Sequence, residues 1–591
     1  MTHHLIQQRL QAAVRSVLPE ADVSAVLVRP CPDPKFGDYQ TNALMSLAKT
    51  RKLNPRQLAA DVLAKLDVSE WCEPVEIAGA GFLNFRLKTV AVEQALAAAA
   101  RGDHLFFEKS AHPRTVVVDF SSPNVAKPMH VGHIRSTILG DTLTRVLKLL
   151  GHKVITDNHL GDWGTQFGKL LVGWKQHLDK AALDSDPITE MVRLYKLVNT
   201  ASETDPAVLE QARQELVKLQ GGDEENLRIW RQMIDLSKHQ FDSIYQRLGV
   251  GFDFTLGESF YNERLPGIVE ELNQKGIARE SEGAIAVFFE DNPQLKAHPA
   301  LIRKSDGGFN YMTTDLATLS HRLETWHPDE IIYITGGPQQ LHFQQLFAIF
   351  RRWHPEAAVK LAHVWFGSIL GDDGRPFKTR TGENIRLVDL LNEAEERAFK
   401  VVTEKSPELP ESQRREIARV VGIGAVKYAD LVPNRQTDYV FSWDKMLALS
   451  GNTAPYLQYA YVRIRGIFRK GEAEEQKTED RGQKSEVGSQ KSEVRSQKSE
   501  VRLEAQEEIA LAKHLMNFGI VLEATAEEYR PNFLCSYLYD LAGHYNRFFE
   551  QCPVLKAPPG LRESRLTLCD LTARVLSQGL TVLGIETLEQ M

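Results

Sequence analysis

The spacing of apolar positions changes rhythm three times along the chain. Near the start, Leu5, Leu10, Val14 and Leu18 recur at helical spacing and predict an amphipathic first helix. Further on, Ile77-Ala78-Gly79-Ala80-Gly81-Phe82-Leu83-Asn84-Phe85 reads as a glycine turn running into a strand. Between about 112 and 395, β-branched runs (Thr115 to Phe120, Lys153 to Thr156, Glu330 to Thr335, Ala362 to Leu370) alternate with helical patterns. That alternation is the sign of a parallel sheet with crossover helices. A charged, helix-rich stretch at about 175–290 interrupts it and reads as an insertion between two halves. From about 396 the periodicity is almost entirely helical, which predicts a bundle. The expected architecture is therefore α/β, with a small α+β unit at 1–110, a parallel-sheet unit at 111–395 and an all-α unit at 396–591. Residues 472–502 stand apart, repeating Gln-Lys-Ser-Glu-Val from Gln483, Gln490 and Gln497. One valine per heptad makes no a/d seam, so this segment reads as a solvated low-complexity insertion.

Composition narrows the class. With 42% apolar and 25% charged residues over 591 positions, the chain suits a multidomain soluble protein. No apolar run reaches the roughly 18 residues of a membrane span. The polar start lacks the apolar core of a secretory signal, and a cytoplasmic location is expected. The five cysteines (Cys31, Cys72, Cys535, Cys552, Cys569) form no Cys-x-x-Cys pair. No tightly bound protein metal is expected from them. A net charge of −7 argues against a uniformly basic nucleic-acid coat while leaving room for a local basic face.

The most informative stretch is Asp119-Phe120-Ser121-Ser122-Pro123-Asn124-Val125-Ala126-Lys127-Pro128-Met129-His130-Val131-Gly132-His133. An apolar run enters it, and a helical pattern (Ile134, Ile138, Leu139, Leu143, Val146, Leu147, Leu150) leaves it. A strand end followed by a helix start is where ligands bind in open α/β sheets. Helix N-termini suit phosphate, Gly132 lets a flat purine or ribose lie against backbone, and His130 and His133 can donate to phosphate oxygens. The stretch resembles the HIGH signature of class I aminoacyl-tRNA synthetases, in the form carried by the arginyl-tRNA synthetases. Far downstream, Phe366-Gly367-Ser368-Ile369-Leu370-Gly371-Asp372-Asp373-Gly374-Arg375-Pro376-Phe377-Lys378-Thr379-Arg380-Thr381-Gly382 runs from a strand into a glycine-rich turn. Alone it could be an exposed basic hairpin. It also resembles the KMSKS loop of class I synthetases, with Arg380 where the second lysine of that pattern stands. In the arginyl family that loss accompanies a lysine just ahead of the HIGH motif, the place of Lys127.

The resemblance implies a Rossmann-type catalytic domain and the formation of arginyl-adenylate from L-arginine and ATP with Mg²⁺, followed by transfer to the terminal ribose of tRNA(Arg). That chemistry needs positioned cations more than a nucleophile, and Lys127, His130, His133, Lys378 and Arg380 supply them; ATP would rest on His130, Gly132, His133 and Lys378. A guanidinium asks for carboxylates and amide or carbonyl oxygens in a fork. By resemblance, Asn124, Tyr311, Asp315 and Gln339 line the arginine pocket, with Asp119 where many relatives carry an acid. Tyr311 and Asp315 share a face if a helix begins at 311. Asp315 as a helix cap and Tyr311 as a packed surface residue stay open as alternatives. Around Gln339, Tyr333-Ile334-Thr335-Gly336-Gly337-Pro338-Gln339 departs from the relatives by one extra residue and a missing acid. The glycine-dense Asp157 to Gly168 segment matches the family beside the adenylate site.

Phe36 to Asn42 and Ile77 to Phe85 resemble the N-terminal domain with which arginyl-tRNA synthetases touch the tRNA elbow, which implicates Phe36 and Asn84. A tyrosine cluster with arginines suits stacking of splayed bases; a tyrosine-rich helical core explains the same residues. The resemblance of 396–591 to an anticodon-binding domain implicates Tyr456, Tyr459, Arg463 and Met591. The partners implied are tRNA, arginine and ATP, with neither DNA nor membrane, and a monomer. The family often requires tRNA before it activates arginine. Two rivals remain at this stage: another class I nucleotidyltransferase, and a tRNA-binding paralogue that has lost activation.

Overall fold

In the computed structural model, residues 1–371, 373–377, 384–481 and 501–591 are described. The N-terminal unit opens with helix α1 (Thr2–Val17), which buries Ile6, Leu10, Ala13 and Val14. It packs with a four-stranded antiparallel sheet made of Arg29–Pro30, Tyr39–Thr41, Phe82–Phe85 and Glu76–Ala78, in that spatial order.

The central sheet has four parallel strands: β1 (Thr115–Asp119), β2 (Lys153–Asp157), β3 (Glu330–Tyr333) and β4 (Lys360–His363). Their order is β4-β3-β1-β2. All four are short; β1, β2 and β3 are largely buried, as strands covered on both faces must be, whereas β4 is a partly exposed edge. Helix α2 (Val131–Leu149) follows β1 and leads to β2 on one side. The chain leaving β3 leads to β4 on the other. The carboxyl ends of β1 and β3 therefore flank a topological switch point, the crevice where such sheets bind ligands.

Between β2 and β3 come helices α3 (Gln166–His177), α4 (Pro187–Thr204), α5 (Glu224–Leu248) and α6 (Tyr311–Trp326). The inserted part stays helix-rich as far as Gln274, with further helical stretches over Glu258–Arg264 and Leu265–Gln274. A three-stranded antiparallel meander follows, made of Arg279–Ser281, Ala284–Val287 and Ala300–Arg303. A helix-rich reading to 290 misses it because its strands are three or four residues long, too short for a period of two to show. The run Ala362 to Leu370 also divides. Lys360–His363 joins the central sheet, whereas Ile369–Leu370 pairs with Tyr439–Val440. Gly367 permits the departure, since a Cβ there would lie 2.7 Å from the Thr437 backbone.

Helix α7 (Gln340–Trp353) connects β3 to β4. The C-terminal part is helical, including α8 (Glu411–Leu431), α9 (Ala454–Arg481), α10 (Phe518–Glu528), α11 (Asn532–Gln551) and α12 (Leu561–Val582). Most of the low-complexity repeat, 482–500, lies outside the described residues. One continuous apolar core joins the N-terminal unit, α2 and the C-terminal helices. Among the described residues no helix is long and apolar enough to cross a membrane.

Candidate active site

The turn after β1 is built from backbone conformations that L-residues avoid. Ser121, Ser122 and Ala126 have φ of 71°, 48° and 61°, each costing on the order of 1–3 kcal/mol. Hydrogen bonds hold all three. Ser121 N donates to Ser136 Oγ at 2.9 Å, Ser122 N to Asn158 Oδ1 at 3.0 Å and Ala126 N to Ser237 Oγ at 3.0 Å. Ser121 Oγ also lies 2.8 Å from both Thr137 Oγ1 and Tyr245 Oη. The strain aims the chain back across the sheet end and delivers His130 to the start of α2.

His130 is the N-cap of α2. Its Nδ1 accepts from Gly132 N at 3.1 Å, and His133 Nδ1 accepts from His130 N at 3.1 Å. With Nδ1 occupied as an acceptor in each ring, the proton of the neutral imidazole sits on Nε2. The cap thus presents two N–H donors beside the free backbone N–H groups of a helix start. Burial, then Lys127, lowers the His130 pKa. Burial, then His130, pushes His133 down to about 3. Both donors are therefore uncharged near neutrality. Gly132 has a local reason too: a Cβ there would lie 2.9 Å from His130 Cε1 and break the cap.

The glycine-rich segment is tied to α2 from both sides. On entry, Arg135 Nη1 donates to the carbonyls of Gly367 (2.7 Å) and Thr437 (3.2 Å), while Arg135 Nε pairs with Asp430 at 3.0 Å. On exit, Val131 N donates to Ile385 O at 2.9 Å and Leu387 N to Met129 O at 2.8 Å. Phe377 stacks on Phe441 with centroids 4.5 Å apart. Lys378 and Arg380 themselves lie outside the described residues. Beside α2 opens a cavity of about 790 Å³, lined among others by Asn124, Lys127, His130, His133, Gln166, Tyr195 and Arg386.

Two carboxylate clusters lie near the switch point. In the first, Arg322 Nη2 donates to Asp119 Oδ2 at 2.6 Å and to Asp157 Oδ2 at 2.8 Å, with all three side chains buried. Burial works against the Arg322 charge, but Asp119 and Asp157 hold its pKa well above the usual value. Asp119 reaches the strand end as expected, yet its carboxylate is taken by a guanidinium of the protein itself.

Among the described residues the second cluster has no such partner. Helix α6 begins at Tyr311, capped by Asn310, so Asp315 lies inside the helix rather than at its cap. Asp315 Oδ2 accepts from His342 Nε2 at 2.6 Å, and the His342 ring packs edge-on to exposed Tyr311 with centroids 4.9 Å apart. His159 bonds the Leu256 carbonyl through Nδ1 at 3.1 Å. Its Nε2, an acceptor in the neutral ring, faces Asp315 Oδ1 at 4.0 Å. Glu258 completes the set. Burial pushes its carboxyl up to about 7; His159 pulls it down, and Asp315 and Asp162 push it up.

Sequence reasoning missed Glu258 and gave His342 no role. The one local signal is Gly257, where a Cβ would lie 2.2 Å from Asp162 Oδ2, so that Glu258 enters beneath Asp162. Gln339 is brought to the exposed start of α7, three residues before His342. Asn124 lies against Gly161, whose added Cβ would meet Asn124 Oδ1 at 2.2 Å. Of the residues assigned to tRNA, Phe36 is 56% exposed and Tyr459 49% exposed. Arg463 lies 5.1 Å from the centre of the Phe549 ring, and Tyr456 Oη accepts from Asn546 Nδ2 at 2.9 Å. Asn84 is buried within its strand, and Met591 packs on the core.

A parallel sheet with a histidine-capped helix at its switch point, a second glycine-rich loop tied to that helix and a following helical bundle define a class I aminoacyl-tRNA synthetase. Residues 92–443 match the family described as tRNA synthetases class I (R), catalytic domain; 457–591 match the DALR anticodon binding domain, and 3–87 the arginyl tRNA synthetase N terminal domain. The chain is 45% identical to an arginine–tRNA ligase of Trichodesmium erythraeum, over 95% of this chain and 94% of that one. It is 44% identical to that of Cellvibrio japonicus over 99% of both. Among solved structures, Plasmodium falciparum arginyl-tRNA synthetase superposes with a TM-score of 0.81 at 28% identity, over 100% of this chain and 99% of that one. The Thermus thermophilus enzyme gives 0.80 at 25% identity over 100% of both. The chain belongs to the arginyl-tRNA synthetase family, and its activity is the ligation of arginine to tRNA.

Proposed function

We propose that the open cluster of Tyr311, Asp315, His342, His159 and Glu258 holds the guanidinium of arginine, and that the capped start of α2 holds the phosphates of ATP. The observation that carries the first part is the pair of facing acceptors, Asp315 Oδ1 and His159 Nε2, 4.0 Å apart. A planar donor placed between them satisfies both, and a cation there favours the ionised form of Glu258. Asn124 and Gln339 join this pocket on the strength of the family resemblance. Asp119 acts at one remove, by fixing Arg322 beneath it.

Activation forms a bond between a carboxylate oxygen of arginine and the α-phosphorus, and breaks the bond to pyrophosphate. The residues move no proton in this step; they lower its barrier by offsetting charge on the phosphate oxygens. His130 and His133 donate through Nε2, while Lys127, Lys378 and Arg380 contribute full charges and Mg²⁺ accompanies ATP as part of the substrate. A site built to pair five guanidinium donors rejects lysine by leaving acceptors unpaired. tRNA(Arg) is read by exposed Phe36 in unit 1–110, and by Tyr456, Tyr459, Arg463 and Met591 in unit 396–591; Asn84, buried in its strand, is not offered to it. The enzyme works as a cytoplasmic monomer, with arginine activation coupled to bound tRNA.

Arginine-dependent ATP–pyrophosphate exchange, with and without tRNA and with lysine and glutamine as controls, tests this reading. Exchange with arginine alone supports it, and exchange without tRNA discards only the coupling. The Lys127→Ala variant should lose rate with little change in arginine KM, as for a contact made in the transition state; an unchanged rate removes Lys127 from the phosphate site.

A further inference from the structure

The N-terminal unit meets the C-terminal helices where α1 lies beside α10, and there the chain assembles a donor set that the ligation reaction does not use. His3 and His4 come from the first turn of α1, and Glu523 from α10. One donor atom from each lies within 4.8 Å of the others, and no second such group of three occurs among the described residues. His4 Nε2 stands 3.0 Å from a Glu523 carboxylate oxygen. His4 Nδ1 lies 3.3 Å from Glu108. The His3 ring lies beside that of His4, with centroids 4.0 Å apart. His3 is 3% exposed, and its Nε2 has no hydrogen-bond partner among the described residues.

We propose that His3, His4 and Glu523 form a zinc site that clips the N-terminal unit to the helical C-terminal unit. Two neutral imidazoles and one carboxylate, with water as the fourth ligand, are a donor set that Zn²⁺ accepts in tetrahedral geometry. With metal–ligand bonds of about 2.0–2.1 Å, neighbouring donors in such a shell lie about 3.4 Å apart. His4 and Glu523 already stand near that spacing, and a turn of the His3 ring closes the third position. The ion takes the place of the proton shared by His4 Nε2 and Glu523. His4 then keeps its remaining proton on Nδ1, directed at Glu108, the carboxylate–histidine–metal arrangement that orients a ligating imidazole and raises its basicity. The clip spans 519 positions of sequence between His4 and Glu523. It joins the two units that flank the catalytic sheet, so it would govern their relative placement rather than the chemistry.

The test uses the full chain, stripped with a chelator and titrated with Co²⁺ as a visible probe, then with Zn²⁺. The expected result is one Co²⁺ per chain with the intense visible absorption of a four-coordinate ion, displaced by Zn²⁺. A rise in Tm with Zn²⁺ concentration should accompany it, since a ligand that binds only the folded state stabilises it by mass action. Glu523→Gln and His4→Gln should each weaken Co²⁺ binding at least tenfold and abolish the Tm rise, with basal pyrophosphate exchange unchanged. Two variants on different elements guard against misfolding of either. Absence of binding below about 100 µM overturns the proposal. Unaltered binding by Glu523→Gln also overturns it, because the ion would then be held by the histidine pair alone and would join nothing.

Discussion

The two carboxylate clusters at the ends of β1 and α6 are made of the same chemistry and finished in opposite ways. Asp119 and Asp157 converge on Arg322, a guanidinium supplied by the chain and sealed from water. Asp315 and Glu258 converge on histidines, next to the exposed ring of Tyr311. Arg322 offsets one of the two charges of the buried Asp119–Asp157 pair and donates to both acids, and the triad serves as frame. The second carboxylate pair has no arginine or lysine partner among the described residues, and burial first, then the neighbouring acids Asp315 and Asp162, raises the carboxyl of Glu258. The protein thus contains, a short distance apart, a permanent version of the interaction its proposed substrate makes transiently.

Replacing the closing cation breaks the comparison most violently. Arg322→Met leaves two buried acids facing each other and should cost about 3–5 kcal/mol of stability, read from urea unfolding; a loss below about 1 kcal/mol would mean that the acids were never dependent on it. In the open cluster, Asp315→Asn should raise the arginine KM on the order of 100-fold, as expected for a lost charge-assisted pair, with the ATP KM unchanged. Equal weakening of both substrates would make Asp315 structural. Asp119→Asn should behave in the opposite sense, costing about 2 kcal/mol of stability while arginine KM stays within about twofold. A large KM effect would return Asp119 to the pocket.

The smallest effect concerns pH. The carboxyl of Glu258 is raised to about 7, so its proton must leave when a guanidinium binds. Arginine KM should therefore climb about tenfold from pH 8 to pH 6, through titration of one group, and Glu258→Gln should flatten that climb. The stability of the free protein has the matching sign. A carboxyl whose folded pKa is raised favours the folded state at low pH, and that contribution is lost between about 4.5 and about 7 as pH rises. A profile that survives in Glu258→Gln would remove Glu258 from the titration.

Much of the candidate site's local structure was legible because it is built from consecutive residues. The strand entering Asp119, the turn and the helix starting at His130 are consecutive, so spacing and residue type reveal them together. The cap that sets the histidine tautomers is contained in four residues, His130 to His133. Tyr311 and Asp315 were legible for the same reason, being one helical turn apart. The division of Ala362 to Leu370 was not, because Gly367 bends the chain only against Thr437 and Asp438, about seventy positions away.

By itself the sequence determined the main strands of the central sheet, the helix that follows the first of them with its histidine cap, and the family. Each is a matter of near neighbours along the chain. The tertiary structure alone decided which acids pair with Arg322 and which, among the described residues, do not, since Arg322 lies 203 positions from Asp119. It also decided that Glu258 enters the pocket, that Asn84 is buried, and that His4 meets Glu523. Charge compensation acts through space over a few ångströms, and only folding sets which charges share them.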